Sequence, residues 1–315
     1  MEQGTQQANR TRALHDAFAA MREGDLSQTW VARCSDLSRD DLRTFEREWT
    51  ALPENARVDI VRRFDELSEE RVELNFGRAL RVALGDTSPV VRQLAIAGLW
   101  EDESGELLDR LRGMLRDDPS PDVRSEAASA LGRFAQKASA ETLPADVAGG
   151  LRDDLILAAR SATSSYAEQR RALESLGGFA AEPEIAEAIR DAFDSGDHGL
   201  QCSALRAMGL SRELRWLPVI LDELQSDEPE LRFEAARSAG LLGSADALPL
   251  LIEAARDDDP EVRHTAIDAI GQIGGRGAVR ALERLAVDAG EADLELIDAA
   301  LEELGTLLDP FEQSS

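Results

Sequence analysis

Residues 226–275 read SDEPELRFEAARSAGLLGSADALPLLIEAARDDDPEVRHTAIDAIGQIGG, and one phrase occurs in them twice. An acidic residue, proline, Glu, Leu or Val, and then Arg open it at Pro229 and again at Pro260. An alanine follows three residues after each arginine, and a glycine closes the phrase at Gly240 and at Gly271, a spacing of 31. A helical unit that recurs at such a period cannot bury its apolar face alone and must stack on its neighbours, which predicts an α-solenoid.

The same frame extends outward from this stretch. With the closing glycine or its stand-in as anchor, the column is Trp100, Gly132, Gly177, Gly209, Gly240, Gly271 and Gly305. Twelve residues earlier stand Ser88, Ser120, Ser165, Asp197, Glu228, Asp259 and Asp293, nearly all residues that satisfy orphan N–H groups at a helix start. Proline follows at 89, 121, 229 and 260, where a first-turn proline does no harm, and the same four units carry Arg92, Arg124, Arg232 and Arg263. Five residues before each anchor the column is alanine throughout, from Ala95 to Ala300. An unbroken alanine column means close approach of helix backbones. These segments are the second, or B, helices of successive hairpins. The first, or A, helices are predicted at 106–115, 184–193, 214–224, 247–255 and 278–285, with Pro218 and Pro249 near their starts. The wider gap between Gly132 and Gly177 holds extra residues, and Pro144, Gly149–Gly150 and Ser161–Ser165 mark an extended A helix with looser ends.

Residues 1–84 are helical in pattern but fit the frame poorly. Helical spacing of Leu14, Ala17, Phe18 and Met21 predicts a helix ending at Gly24. Ser38 with Asp41 resembles a capping box, Pro53 precedes a further helix, and Val72 to Leu84 reads as another, closed by Gly85. The expected organisation is therefore a helical N-terminal cap, or degenerate repeats, over 1–84, a solenoid over 85–308 with about seven B helices, and a short tail at 309–315. The fold class is all-α, a right-handed superhelix of antiparallel helix pairs.

Composition narrows the function. The net charge is −27, and 1–84 contribute 13 Arg against 16 Asp and Glu, so the acidity belongs to the repeats. Such a surface repels nucleic acid and anionic membranes and attracts a basic protein or a cation. Lys137 is the only lysine, so almost every basic residue is Arg. Cys34 and Cys202 read as isolated thiols of a reducing cytoplasm, and no apolar run reaches membrane-spanning length. A soluble cytoplasmic protein is expected.

The columns, above all DDDPEVRHTAIDAIGQIGG at 257–275, resemble HEAT repeats of the short type found in phycobilisome-lyase-like proteins. The resemblance covers about residues 85–308. It implies A helices on a convex face, B helices on a concave one, and an Asp–Arg ladder in the turns, with Asp117 or Asp118 beside Arg124 and Asp257–Asp259 beside Arg263. Some HEAT-like enzymes, such as deoxyhypusine hydroxylase, hold iron with repeated His-Glu pairs. Here His15, His198 and His264 precede Asp16, Gly199 and Thr265, so that motif is absent and no metal or other cofactor is expected. No phosphate loop, Cys-x-x-Cys or nucleophilic triad is legible either, which argues against an enzyme.

B-helix positions outside the packing columns place Arg170, Arg171, Arg206 and Arg237 on one inner stripe, with Phe233 and His264 beside them. The functional reading is a groove for an acidic or phosphorylated peptide, with Phe233 as apolar anchor. The bland reading pairs these arginines with Glu174, Glu234 and Asp268 as solvated bridges. Acidic turns at 101–103, 117–118, 227–228 and 257–259 complement helix dipoles, and alternatively form a docking edge for a basic protein. The leading expectation is a non-enzymatic protein–protein scaffold. The alternative is an accessory subunit of a tetrapyrrole (phycobilin) lyase-like enzyme, on resemblance alone. The four tryptophans, Trp100 and Trp216 among them, are expected in the core.

Overall fold

The computed structural model of the protein describes residues 2–308, with side chains described for 9–305. Those residues form eighteen α-helices joined by short turns and 3-10 segments, and no strand. The architecture is the all-α stack of antiparallel helix hairpins that the repeat frame demands. The chain divides into two compact units, Met1–Leu131 and Gly132–Ser315.

The N-terminal unit contains α1 (Glu2–Arg22), α2 (Gln28–Val31), α3 (Arg39–Thr50), α4 (Glu54–Glu70), α5 (Gly77–Ala83), α6 (Pro89–Gly98), α7 (Gly105–Asp117) and the start of α8 (Pro121–Ser139). Its core is the most aromatic part of the molecule. Phe18 meets Phe45 edge-on at 5.3 Å and Phe45 stacks on Trp49, also at 5.3 Å. The Ser38–Asp41 capping box forms and opens α3. Gly24 (φ +90°) lies just past α1, and Pro53 is the residue before α4. The stretch read as one helix from Val72 to Leu84 is helical only over α5. Tertiary hydrogen bonds pull its beginning away: Asn75 N–H donates to Ser35 Oγ, the Asn75 carbonyl accepts from Asp36, and Asn75 Oδ1 caps Gly77.

The C-terminal unit alternates A helices α9 (Ala145–Arg160), α11 (Pro183–Phe193), α13 (Leu217–Glu223), α15 (Leu248–Ala254) and α17 (Gly275–Ala286) with B helices α10 (Tyr166–Ser175), α12 (His198–Leu210), α14 (Pro229–Leu242), α16 (Pro260–Ile273) and α18 (Glu291–Leu308). Several boundaries differ from the sequence reading. The extra residues between Gly132 and Gly177 lengthen α8 as well as α9, and Gly149–Gly150 lies inside α9 instead of loosening its end. Leu151, Leu155 and Ala158, buried at helical spacing just beyond the glycines, hold that helix together. The last helix opens at Glu291, so Asp293 sits in its first turn instead of capping it. Asp293 is drawn there by Arg263, 3.2 Å away.

B helices of successive hairpins run side by side, while neighbouring A helices touch more sparsely. The alanine column is the seam: Ala172, Ala204, Ala235 and Ala266 are all fully buried. The anchor glycines Gly209, Gly240 and Gly271 belong to that seam and lie within helices. Gly240 and Gly271 lie inside α14 and α16, whose actual ends are at Gly243 (φ +66°) and Gly274 (φ +70°). A Cβ on Gly209 would stand 2.7 Å from Ser238 Cα. Only hydrogen fits there.

An arginine–aspartate ladder spans the turns, with its rungs one repeat out from the expected pairing. Arg92 grips its own turn through the Asp86 and Thr87 carbonyls, then forks onto the carboxylate of Asp118 in the next turn at 2.8 and 2.6 Å. Arg232 does the same with the Ser226 and Asp227 carbonyls and the Asp257 carboxylate, at 2.7 and 2.8 Å. Arg263 holds the Asp257 and Asp258 carbonyls and reaches Asp293. The fork geometry explains the choice: one guanidinium edge suits the nearby carbonyls and leaves the other for a carboxylate across the hairpin. Arg57 in α4 repeats the pattern with the Leu52 carbonyl and Asp86. The ladder therefore begins inside the region that fits the frame poorly.

Candidate functional site

The B-helix face of the C-terminal unit brings four arginines into one field. Arg170 and Arg171 come from α10, Arg206 from α12 and Arg237 from α14, on successive members of the seam. Glu174, buried at 6% exposure, is the hub. It pairs with Arg171 Nη1 at 2.9 Å and with Arg206 Nε at 3.4 Å, and accepts the Ser203 hydroxyl at 3.0 Å. Arg170 donates Nε–H to that same Ser203 at 2.9 Å and lies over the Tyr166 ring at 5.8 Å. The Tyr166 hydroxyl in turn donates to Asp197, the residue that caps α12.

Charge balance in the cluster is uneven. Burial disfavours the Arg206 cation, and Arg237 and Arg171 push its pKa down further against the pull of Glu174 and Glu234. Arg237 has no hydrogen-bond or ion-pair partner among the described residues. Glu234, the second carboxylate, is largely buried, and its Oε2 has no partner either. Burial raises its pKa above the ordinary 4.5, outweighing the opposing fields of Arg237 and Arg206. A carboxyl whose folded pKa is raised contributes stability that is fully present below the unfolded value and is lost as pH rises through the folded one. Glu234→Gln removes the buried charge and is therefore expected to stabilise the protein at pH 7 and to change it little near pH 4. Urea melts at both pH values check this, and equal midpoints at pH 7 contradict it.

The remaining residues singled out in the sequence lie on the same helices in different settings. Phe233 is half-buried in α14, next to Glu234. His264 in α16 is 41% exposed and bonds Asp293 Oδ1 through Nε2 at 3.0 Å, beside the Arg263 rung. Cys202, in the same column as Phe233, has its pKa raised to about 11, chiefly by burial, which keeps the thiol protonated and unreactive. The connecting residue the sequence did not flag is Ser203. Its signal was its place one residue past Cys202 in α12, where a buried hydroxyl can bridge Arg170 and Glu174.

Part of the acidic turns is already paired. Asp118 and Asp257 are ladder rungs, Asp102 binds Arg81 at 2.6 Å, and the hydrogen bond from Arg232 lowers the Asp257 pKa. Trp49 and Trp216 are core residues, at 2% and 1% exposure, but Trp100 is 65% exposed, contrary to expectation. No described helix is long and apolar enough to cross a membrane.

Stacked hairpins with an alanine–glycine seam, an arginine–aspartate ladder and a polar B-helix face define an α-solenoid of the repeat-protein class. The family model described as HEAT repeats matches residues 78–147 and 217–305, half of the chain. The protein belongs to the HEAT-repeat family. No curated protein matches it significantly in sequence. Among solved structures it is similar to the complex of CpcE and CpcF of phycocyanin lyase from Nostoc sp. PCC7120, at 17% identity and a TM-score of 0.48, covering 72% of this chain and 94% of that one. It is also similar to YibA of E. coli (16%, TM-score 0.44, 89% and 98% covered) and to human deoxyhypusine hydroxylase (15%, TM-score 0.35, 95% and 98%).

Proposed function

We propose that the protein is a non-catalytic adaptor that binds an acidic or phosphorylated segment of a partner protein on its B-helix face. Arg170, Arg171, Arg206 and Arg237 supply the charge, and Phe233 and His264 flank them as apolar and polar contacts. One observation carries the reading: four arginines from three consecutive helices share two carboxylates, and the Arg237 guanidinium makes no hydrogen bond or ion pair among the described residues. A phosphate or carboxylate held between Arg206 and Arg237 would relieve their mutual repulsion and form charge-assisted hydrogen bonds at the same time. Residues 1–84 act in this reading as the cap of the array.

The test is binding of labelled glutamate-rich and phosphoserine peptides, followed by anisotropy, to the wild type and to Arg206→Gln/Arg237→Glu. Glutamine at 206 keeps a donor for the buried Glu174, so the variant is expected to retain its helicity and melting point. Affinity is expected to fall about tenfold or more, equivalent to about 1.4 kcal/mol. Undiminished binding by the variant, or no binding of either peptide by the wild type, refutes the placement.

A further inference from the structure

The N-terminal unit carries a second surface, unrelated to the arginine cluster. Trp100 is 65% exposed and Val72 is 94% exposed, and both line the same groove, of about 750 Å³. Phe64, Phe76, Leu80 and Leu99 form its floor, each at most 5% exposed. A single exposed apolar side chain needs no explanation, but two large apolar lips over an apolar floor mark an interaction surface.

The groove is preformed. Phe64 and Phe76 stack at 4.4 Å beneath it. Arg81 binds Asp102 at 2.6 Å, and Asp102 caps Ser104 N–H at 3.0 Å, which fixes the turn bearing Trp100. A lip held in place loses little entropy when a partner binds. The rim also has a sign. Arg81 is neutralised by Asp102, while Asp65 and Glu101 have no hydrogen-bond or ion-pair partner among the described residues. Asp36 is bonded to its neighbour's hydroxyl, which leaves its charge in place; Arg10 beside it is neutralised by Asp41, and among the described residues lining the groove Arg78 is the one cation left to oppose these three. An acidic peptide is repelled here. A second copy is disfavoured too, since it brings the same acidic rim on a chain of net charge −27.

We propose that this groove docks a basic segment of a partner protein. An apolar side chain of that segment sits between Trp100 and Val72, and flanking Lys or Arg residues meet Glu101 and Asp65. Tryptophan at the centre of a desolvated contact is the commonest kind of binding hot spot. The site stands independently of the B-helix arginines and calls for a partner segment of opposite charge.

The experiment pans a random-peptide phage library on the full chain, with the Trp100→Ala chain as counter-selection. Synthetic peptides made from the winners, carrying a dye, are then titrated by anisotropy, with tryptophan emission followed alongside. Winners are expected to combine Leu, Ile, Phe or Trp with neighbouring Lys or Arg, and to shift the emission to the blue. Trp100→Ala and Asp65→Lys/Glu101→Lys are each expected to weaken binding about tenfold or more. Trp100→Phe keeps an aromatic lip, so it should keep most of the binding and lose the emission change. Arg206→Gln/Arg237→Glu should bind like the wild type. Acidic winners, no enrichment over the counter-selection, or equal binding by Trp100→Ala overturns the proposal. So does a dimer of the free chain in sedimentation that Trp100→Ala dissociates, which would make a second copy the occupant.

Discussion

Arg57→Met is expected to destabilise the N-terminal unit by about 3–5 kcal/mol, the cost of leaving a buried charge without its partner. Arg57 and Asp86 are 8% and 9% exposed, and their side chains meet at 2.8 and 3.0 Å. Asp86 also accepts Trp49 Nε1–H at 2.7 Å and caps Ser88 N–H at 2.8 Å, so the carboxylate ties α3, α4 and the start of α6 together. Methionine fills the volume of the arginine stem but strands the carboxylate, and the Leu52 carbonyl loses its donor at 2.6 Å. The second variant, Arg57→Met/Asp86→Asn, removes the stranded charge while keeping an acceptor for Trp49, and is expected to recover about half of the loss. Urea unfolding followed by circular dichroism measures both. A loss under about 1 kcal/mol for the single variant would show that this rung behaves like a surface pair.

Arg57 also shows how far the sequence carried the fold and where it stopped. It follows Pro53 by four residues, as Arg92 follows Ser88, and that spacing was available in the sequence. The anchor twelve residues beyond Pro53 is Asp65, however, so neither the glycine nor the alanine column flagged the unit. The repeat frame is legible where packing leaves one solution, as at the fully buried alanines. It is illegible where a polar side chain has several partners within reach. The ladder arginines could have paired within their own turn, and the fork instead crosses to the next hairpin. The start of the predicted helix at Val72 failed for a similar reason: Ser35 and Asp36, far away in sequence, offered Asn75 better hydrogen bonds than a helix could. For the candidate site, the sequence placed four arginines on one face but could not rank their partners. Whether Glu174 or Glu234 becomes the satisfied hub depends on which of them faces Ser203, and that is set by the crossing of α10 and α12.

The neighbouring crossing of α12 and α14 depends on a glycine of the seam, and Gly209→Val is expected to cost about 3 kcal/mol or more, at the upper end of overpacking effects. An added Cβ would stand 2.7 Å from Ser238 Cα, 2.8 Å from its Cβ and 2.9 Å from its Oγ, and two of these atoms cannot rotate away. Relief requires α12 and α14 to separate. That breaks the hydrogen bond from Ser238 Oγ to the Leu205 carbonyl, 2.8 Å long and fully buried, and moves Arg206 away from Arg237. The substitution should therefore lower stability and weaken acidic-peptide binding together, although residue 209 is buried and touches no ligand. Gly113→Ala is the matched control. It lies inside α7 with nothing within 4 Å of an added Cβ, so it is expected to gain about 0.5–1 kcal/mol from reduced backbone freedom. Equal melting of Gly209→Val and the wild type would mean that neighbouring B helices do not approach as closely as their alanine and glycine columns require.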